Sequence, residues 1–199
     1  MAREIRIEIS DEAYEALERV AAEKHVPAED YAGRVLDADL TRARFVEGAR
    51  SFITEHGQAF AKRFGRPAGA DAACARVFLQ IDLSWLLELA QQEIPGDPEI
   101  FDWGALEAAR ARHAFRVMDV PVYEQPHHRA AALLEQLVRV PALEHSNELY
   151  GVVVAAAYLH ACGQPVGVTA EEAIDLVEQV AEARIDVRQV AAILEEWTR

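Results

Sequence analysis

The stretch Arg139–Tyr150, RVPALEHSNELY, sets His145, Ser146, Asn147 and Glu148 in consecutive positions directly ahead of an apolar run, GVVVAAAYLHAC. That run is apolar nearly all round, the mark of a buried helix, and Ser146 stands where an N-cap belongs. A helix start offers unpaired backbone N–H groups and the positive end of a dipole to an anion. The chemistry this corner suits is therefore the holding of phosphate oxygens, with His145 as a group able to take a proton. Its neighbours oppose that use. Phosphoryl transfer rests on positioning and on lysine, arginine or metal to stabilise charge. Here Glu148 puts a carboxylate in the first turn, and Leu149 and Pro141 carry nothing ionisable.

The corner resembles the catalytic loop of Fic/Doc toxins, HxFxDGNKR before a buried helix. Aligned through Asn147 and the helix-ending Gly163, the motif's His falls on Pro141, its Phe on Leu143, its Asp on His145 and its Gly on Ser146. The Lys falls on Glu148 and the Arg on Leu149, so Asn147 alone matches. The resemblance extends in order through Leu83–His113, with Asp102, Gly104, Leu106, Glu107 and Ala109 in a D-x-G-x-L-E-x-A pattern, then Tyr123–Val138 and Gly163–Trp197, roughly residues 70–199 in all. It implies an all-helical Fic/Doc-like domain with a vestigial loop. The expectation is an inactive toxin-like domain and a protein that is not an enzyme and needs no cofactor. A rewired transferase of AMP or phosphate, with His145 as displaced base, is the alternative.

The N-terminus carries a different pattern. Ile5, Ile7 and Ile9 alternate with Glu4, Arg6 and Glu8, as in a half-buried strand. Ser10 can cap a helix with Tyr14, Leu17, Val20 and Ala21 on one face, and Pro27 opens a second helix from about Ala28 that would bury Tyr31, Val35, Leu36 and Leu40. One strand and two helices cannot close a core alone. The pattern resembles the ribbon-helix-helix fold of bacterial antitoxins and repressors. That implies a homodimer with Ile5, Ile7 and Ile9 at its interface, and Glu4, Arg6 and Glu8 facing operator DNA. The carboxylates at Glu4 and Glu8 face a polyanion badly, which keeps open a dimeric interaction module that binds no DNA.

Between these parts, Thr41–Gly65 has Phe45, Phe52 and Phe60 at helical spacing, as one amphipathic helix or two meeting near Gly57. It resembles the tail with which antitoxins neutralise toxins. Ser51 and Glu55 fit the [ST]xxxE part of an inhibitory Fic helix, so Glu55 is expected beside the loop at 141–149 and the phenylalanines over the cleft. Arg66–Asp71 reads as a linker. The domains expected are 1–42, ribbon-helix-helix; 43–66, neutralising helical segment; and 67–199, Fic/Doc-like. The fold class is mainly α.

Within 67–199, Asp82 or Ser84 caps a helix to about Glu93; others follow near 103–113 and 126–139; Thr169 with Glu172 makes a capping box, and Asp186 opens the last helix.

Net charge is −14, of which −3 lies in residues 1–65 and −11 in residues 66–199, so neither part has the basic footprint usual in nucleic-acid binders. His127, His128, His145, His160 and Cys162 match no metal-ligand spacing, and no metal is expected. Cys74 and Cys162 make no disulfide framework. No apolar run reaches the roughly 18 residues of a membrane span and no secretory signal opens the chain, so a cytoplasmic protein is expected. The function expected is a dimeric, DNA-binding regulator resembling a fused antitoxin and toxin, whose Doc-like domain binds a protein partner or effector.

Overall fold

A computed structural model of the chain describes residues 7, 9–60, 62–63, 79–118 and 120–199. The described residues form two compact units, Met1–Leu40 and Thr41–Arg199. In the first, Ser10 accepts from the Ala13 amide at 3.3 Å and opens α1 (Asp11–Glu23). Acidic Asp11 and Glu12 in its first turn complement the helix dipole. α2 (Ala28–Phe60) begins after Pro27, at the position expected. Glu4, Ile5, Arg6 and Glu8 lie outside the described residues. Ile7 and Ile9 carry no strand assignment and are exposed, so the ribbon of a ribbon-helix-helix fold is not shown. Among the described residues of this unit only Ala21 is buried, while Tyr14, Val35, Leu36 and Leu40 stand in solvent.

α2 differs from the expected organisation. It is one helix of 33 residues, unbroken at Gly57 and at the boundary expected near residue 42. From Thr41 on it belongs to the second unit. The reason is its stripe: Thr41, Phe45, Gly48, Ala49, Phe52, Ile53, His56 and Phe60 recur every three or four residues and are all buried. A segment buried so continuously is part of the domain and not a tail laid over it. The linker expected at Arg66–Asp71 lies outside the described residues.

The second unit also holds α3 (Leu83–Gln92), α4 (Trp103–His113), α5 (Pro126–Arg139), α6 (Asn147–Ala161), α7 (Ala170–Ala181) and α8 (Val187–Trp197). Their caps follow the sequence. Asp82 accepts from Ser84 N, Asp102 from Ala105 N, and both the Thr169/Glu172 and Asp186/Gln189 capping boxes are complete. A short antiparallel hairpin, β1 (Arg116–Val117) with β2 (Val120–Pro121), is an addition to the all-helical expectation.

α5 is the hub, packed on α4, α6, α7 and α8. Leu133, Leu134 and Leu137 meet Tyr150, Val153, Val154 and Tyr158 of α6 in one core. Each such large side chain contributes about 1.5–3 kcal/mol on burial. The tyrosines pin distant chain: Tyr150 Oη donates to Leu86 O at 2.8 Å and Tyr158 Oη to Leu79 O at 2.9 Å. Burial pushes both phenols far up, so they stay protonated and keep the proton they donate here. His113 does the same in neutral form, accepting from Ile81 N at 3.2 Å; burial holds its pKa down at about 4. Glu135, buried, pairs with Arg112 of α4 and with Arg139 at 2.6 Å.

α2 reaches this core from outside. Phe45 and Trp85 meet with ring centroids 5.3 Å apart, Arg42 pairs with Glu88 at 2.6 Å, and Arg50 pairs with buried Glu93 at 2.6 Å. A Cβ at Gly48 would lie 2.7 Å from His160 Cβ and 3.2 Å from Ala157 Cα, so α2 touches α6 where it lacks a side chain. No helix among the described residues is long and apolar enough to cross a membrane.

Candidate functional site

The loop between α5 and α6 is held by Asn147. Its Oδ1 accepts from Ala142 N and Leu143 N, both at 2.9 Å, and its Nδ2 donates to Leu143 O at 2.8 Å. The side chain is buried and its amide is committed on both sides. The residue that matches the family motif is therefore the one that shapes the loop. Outside it, Glu99–Asp102 runs antiparallel: Phe101 N and Asp102 N donate to Ala142 O, and Glu144 N donates to Glu99 O. The loop is a short strip paired on one edge and tied on the other.

This frame settles where the remaining loop residues go. Leu143 is buried, bridged to Ile100, and Leu149 is buried in the core, where an arginine could not have served an outside phosphate. Pro141 is exposed. Glu148 is half-buried in the first turn of α6.

Ser146 occupies the N-cap position at φ 62, ψ 24, a left-handed conformation uncommon for serine. It makes no side-chain cap. Its hydroxyl lies 2.9 Å from His145 Nδ1 instead. Strain of order 1–3 kcal/mol at such a residue persists only when its surroundings over-determine it, and Asn147 and the Glu99–Asp102 strip do so. Two consequences follow for chemistry. The first amides of α6 have no side-chain acceptor, which leaves them for an anion. In the tautomer whose Nδ1–H donates to Ser146 Oγ, the imidazole would carry its lone pair on Nε2, as a base requires. Gly96, at φ +92, faces that ring: a Cβ there would lie 3.1 Å from Cε1 and 3.4 Å from Nε2. Glycine at 96 keeps the imidazole edge open.

The structure does not bring Glu55 to this loop. Ser51, Phe52, Glu55 and His56 line a pocket of about 90 Å³ with Ala156, His160 and Pro165, at the far end of α6. His160 is 13 residues beyond Asn147, roughly 20 Å along the helix. Phe45, Phe52 and Phe60 are buried against the core and not over the loop. Burial lowers the pKa of both His56 and His160. Of the residues expected at a DNA surface, Glu4, Arg6 and Glu8 all lie outside the described residues. Groups of three or more metal-ligating side chains are absent among the described residues. Cys162 is buried and its thiol is pushed up to about 11 by burial, which disfavours the thiolate a nucleophile needs.

Sequence reasoning missed the role of Gly96 and the pairing of Glu99–Asp102 with the loop. The signal was the turn-forming Gly96-Asp97-Pro98, which announces a tight corner but not its partner.

No family model matches the chain, and no solved structure matches it. The chain is 34% identical over 101 residues to the Doc toxin of Mycolicibacterium smegmatis (strain ATCC 700084 / mc(2)155), a match covering 50% of this chain and 78% of that protein. Doc toxins are enzymes, so the expectation that this chain is not an enzyme, drawn from Pro141, Glu148 and Leu149, is overturned. A helical domain, a buried α6 and a motif asparagine at its entrance stand together with 34% identity across an aligned region that covers 78% of a Doc toxin: the chain belongs to the Doc toxin family.

Proposed function

We propose that this Doc-family protein of a toxin–antitoxin system transfers phosphate or AMP from a nucleotide to a hydroxyl on a protein, at the corner formed by His145, Ser146 and the start of α6. The observation that carries the reading is the His145–Ser146 contact of 2.9 Å at a helix start that no side chain caps. His145 takes the proton of the attacking hydroxyl at Nε2. The new bond joins that oxygen to phosphorus, and the bond from that phosphorus to its bridging oxygen breaks, releasing the nucleoside diphosphate when phosphate moves or pyrophosphate when AMP moves. The α6 amides hold the oxygens on which charge builds. Asn147 and Gly96 touch no substrate and act by position.

Glu148 opposes binding of the nucleotide. A carboxylate near a phosphate costs about 1 kcal/mol when both are hydrated. Glu148→Gln should therefore tighten ATP binding by roughly fivefold, read by titration calorimetry at fixed salt. Equal affinity in both proteins would place the phosphates elsewhere.

The first unit has a separate task. One buried residue among those described cannot offset the entropy of ordering about 40 residues. A second copy covering Tyr14, Val35, Leu36 and Leu40 supplies the missing burial, and the reading is a homodimer through residues 1–40. Light scattering at micromolar concentration should give twice the chain mass of 22.1 kDa; a monomer at that concentration contradicts it.

A further inference from the structure

We propose that the pocket between the start of α5 and α8 binds a small phosphate-bearing molecule, at a site separate from the His145 corner. The pocket measures about 370 Å³, near the lower end for ligand sites. Gln125, His127 and His128 line it from α5, Gln164 from the turn after α6, and Arg188 and Glu195 from α8. Its charged lining is Arg188 and Glu195, beside the two histidines, in a chain of net charge −14.

Three local departures from helix rules meet here. Gln125 stands at the N-cap of α5 without capping it, so the His127 and His128 amides have no side-chain acceptor. Arg188 lies in the first turn of α8, where the helix dipole disfavours a cation. Gln164 Oε1 is buried without a hydrogen-bond partner, although its residue lines the pocket. Departures of this kind concentrate at functional positions. A phosphate monoester answers all three. Its oxygens accept from the α5 amides and Arg188, and its remaining hydroxyl or an alcohol of the ester donates to Gln164.

The residues already committed leave that place open. His127 Nε2 is 2.9 Å from Thr198 Oγ1, and burial lowers its pKa, so it serves as a neutral wall. Glu195, the acid among the lining residues, pairs with Arg199 at 2.8 Å and is also within electrostatic reach of His127 and His128. The His145 corner follows the other end of α5, whose 14 residues span roughly 21 Å. The two sites are thus at opposite ends of one helix.

The test is calorimetric titration of the full chain with ribose 5-phosphate and with inorganic phosphate, at matched ionic strength. We expect saturable binding, tighter for the ester than for the free ion. Arg188→Gln should weaken it by at least about tenfold, the loss of one charge-assisted hydrogen bond. Arg184→Gln, an exposed arginine paired with Glu182, should leave it unchanged. His145→Ala should also leave it unchanged, which separates this site from the catalytic reading. Circular dichroism confirms that Arg188→Gln is folded. No saturable binding of either probe, unchanged binding in Arg188→Gln, or loss of binding in His145→Ala would each overturn the proposal.

Discussion

Phe45→Ala will destabilise the protein by about 3–5 kcal/mol, the cost of emptying a fully packed aromatic site. Phe45 is wholly buried, its ring 5.3 Å from that of Trp85, in a stripe that continues through Ala49, Phe52, Ile53 and Phe60. For a domain of this size the loss lowers Tm by on the order of 10 °C. Glu55→Ala, on the exposed side of the same helix, should change stability by no more than about 0.5 kcal/mol. The same stripe predicts how truncation behaves. A chain starting at Thr41 keeps the stripe and the helix packed on α3 and α6. A chain starting after Phe60 uncovers Trp85, Leu89 and the face of α6 around Ala157, and should aggregate. Urea unfolding and size-exclusion chromatography measure both. A soluble fragment lacking residues 1–60, with unchanged stability, would show that α2 is dispensable to the domain.

Asn147→Ala is the second large effect. Three buried hydrogen bonds end at this side chain, and its removal orphans the amides of Ala142 and Leu143 and the carbonyl of Leu143. With about 1–3 kcal/mol for each buried group left unpaired, and some relaxation, the total comes to roughly 3 kcal/mol. Asn147→Asp keeps the acceptor for both amides but loses the donor to Leu143 O, so it should fall between wild type and alanine. Transfer activity should fall with both, although Asn147 touches no substrate, because Ser146 leaves its left-handed conformation when the loop relaxes. Chemical unfolding curves for the two variants, compared with their activity, separate this positioning role from a purely structural one. Equal stability of Asn147→Ala and wild type contradicts the description of the loop.

Much of the helical frame was legible because its signals are local. The Thr169/Glu172 and Asp186/Gln189 boxes need only residues three apart, and α6 announces itself by an apolar run closed at Gly163. That one helix runs on through residue 42 was not legible. The stripe from Thr41 to Phe60 is as consistent with a docked tail as with an integral helix. The hairpin at Arg116–Pro121 has strands of two residues, too short for any alternation to register. At the candidate site the residue types were legible and their roles were not. Ser146 looks like a cap by type and position; tertiary constraint turns it to His145 instead. Asn147 looks like a surviving catalytic residue; its bonds to Ala142 and Leu143 make it the strut of the loop. Glu55 had the right spacing in sequence but sits near His160, because the direction of α2 across α6 is set by packing at Gly48 and not by its motif.

In the proposed function the Doc-like domain transfers a phosphate-bearing group and His145 takes the proton. The measurement is incubation of the full chain with a cell lysate and ATP labelled at either the α or the γ phosphate, followed by counting label on protein. Label above background is expected from one of the two, showing which group moves. In His145→Ala it should drop by about a hundredfold or more, the usual contribution of a positioned base, with the variant's fold intact by circular dichroism. No label from either nucleotide, or label that persists undiminished in His145→Ala, would contradict it.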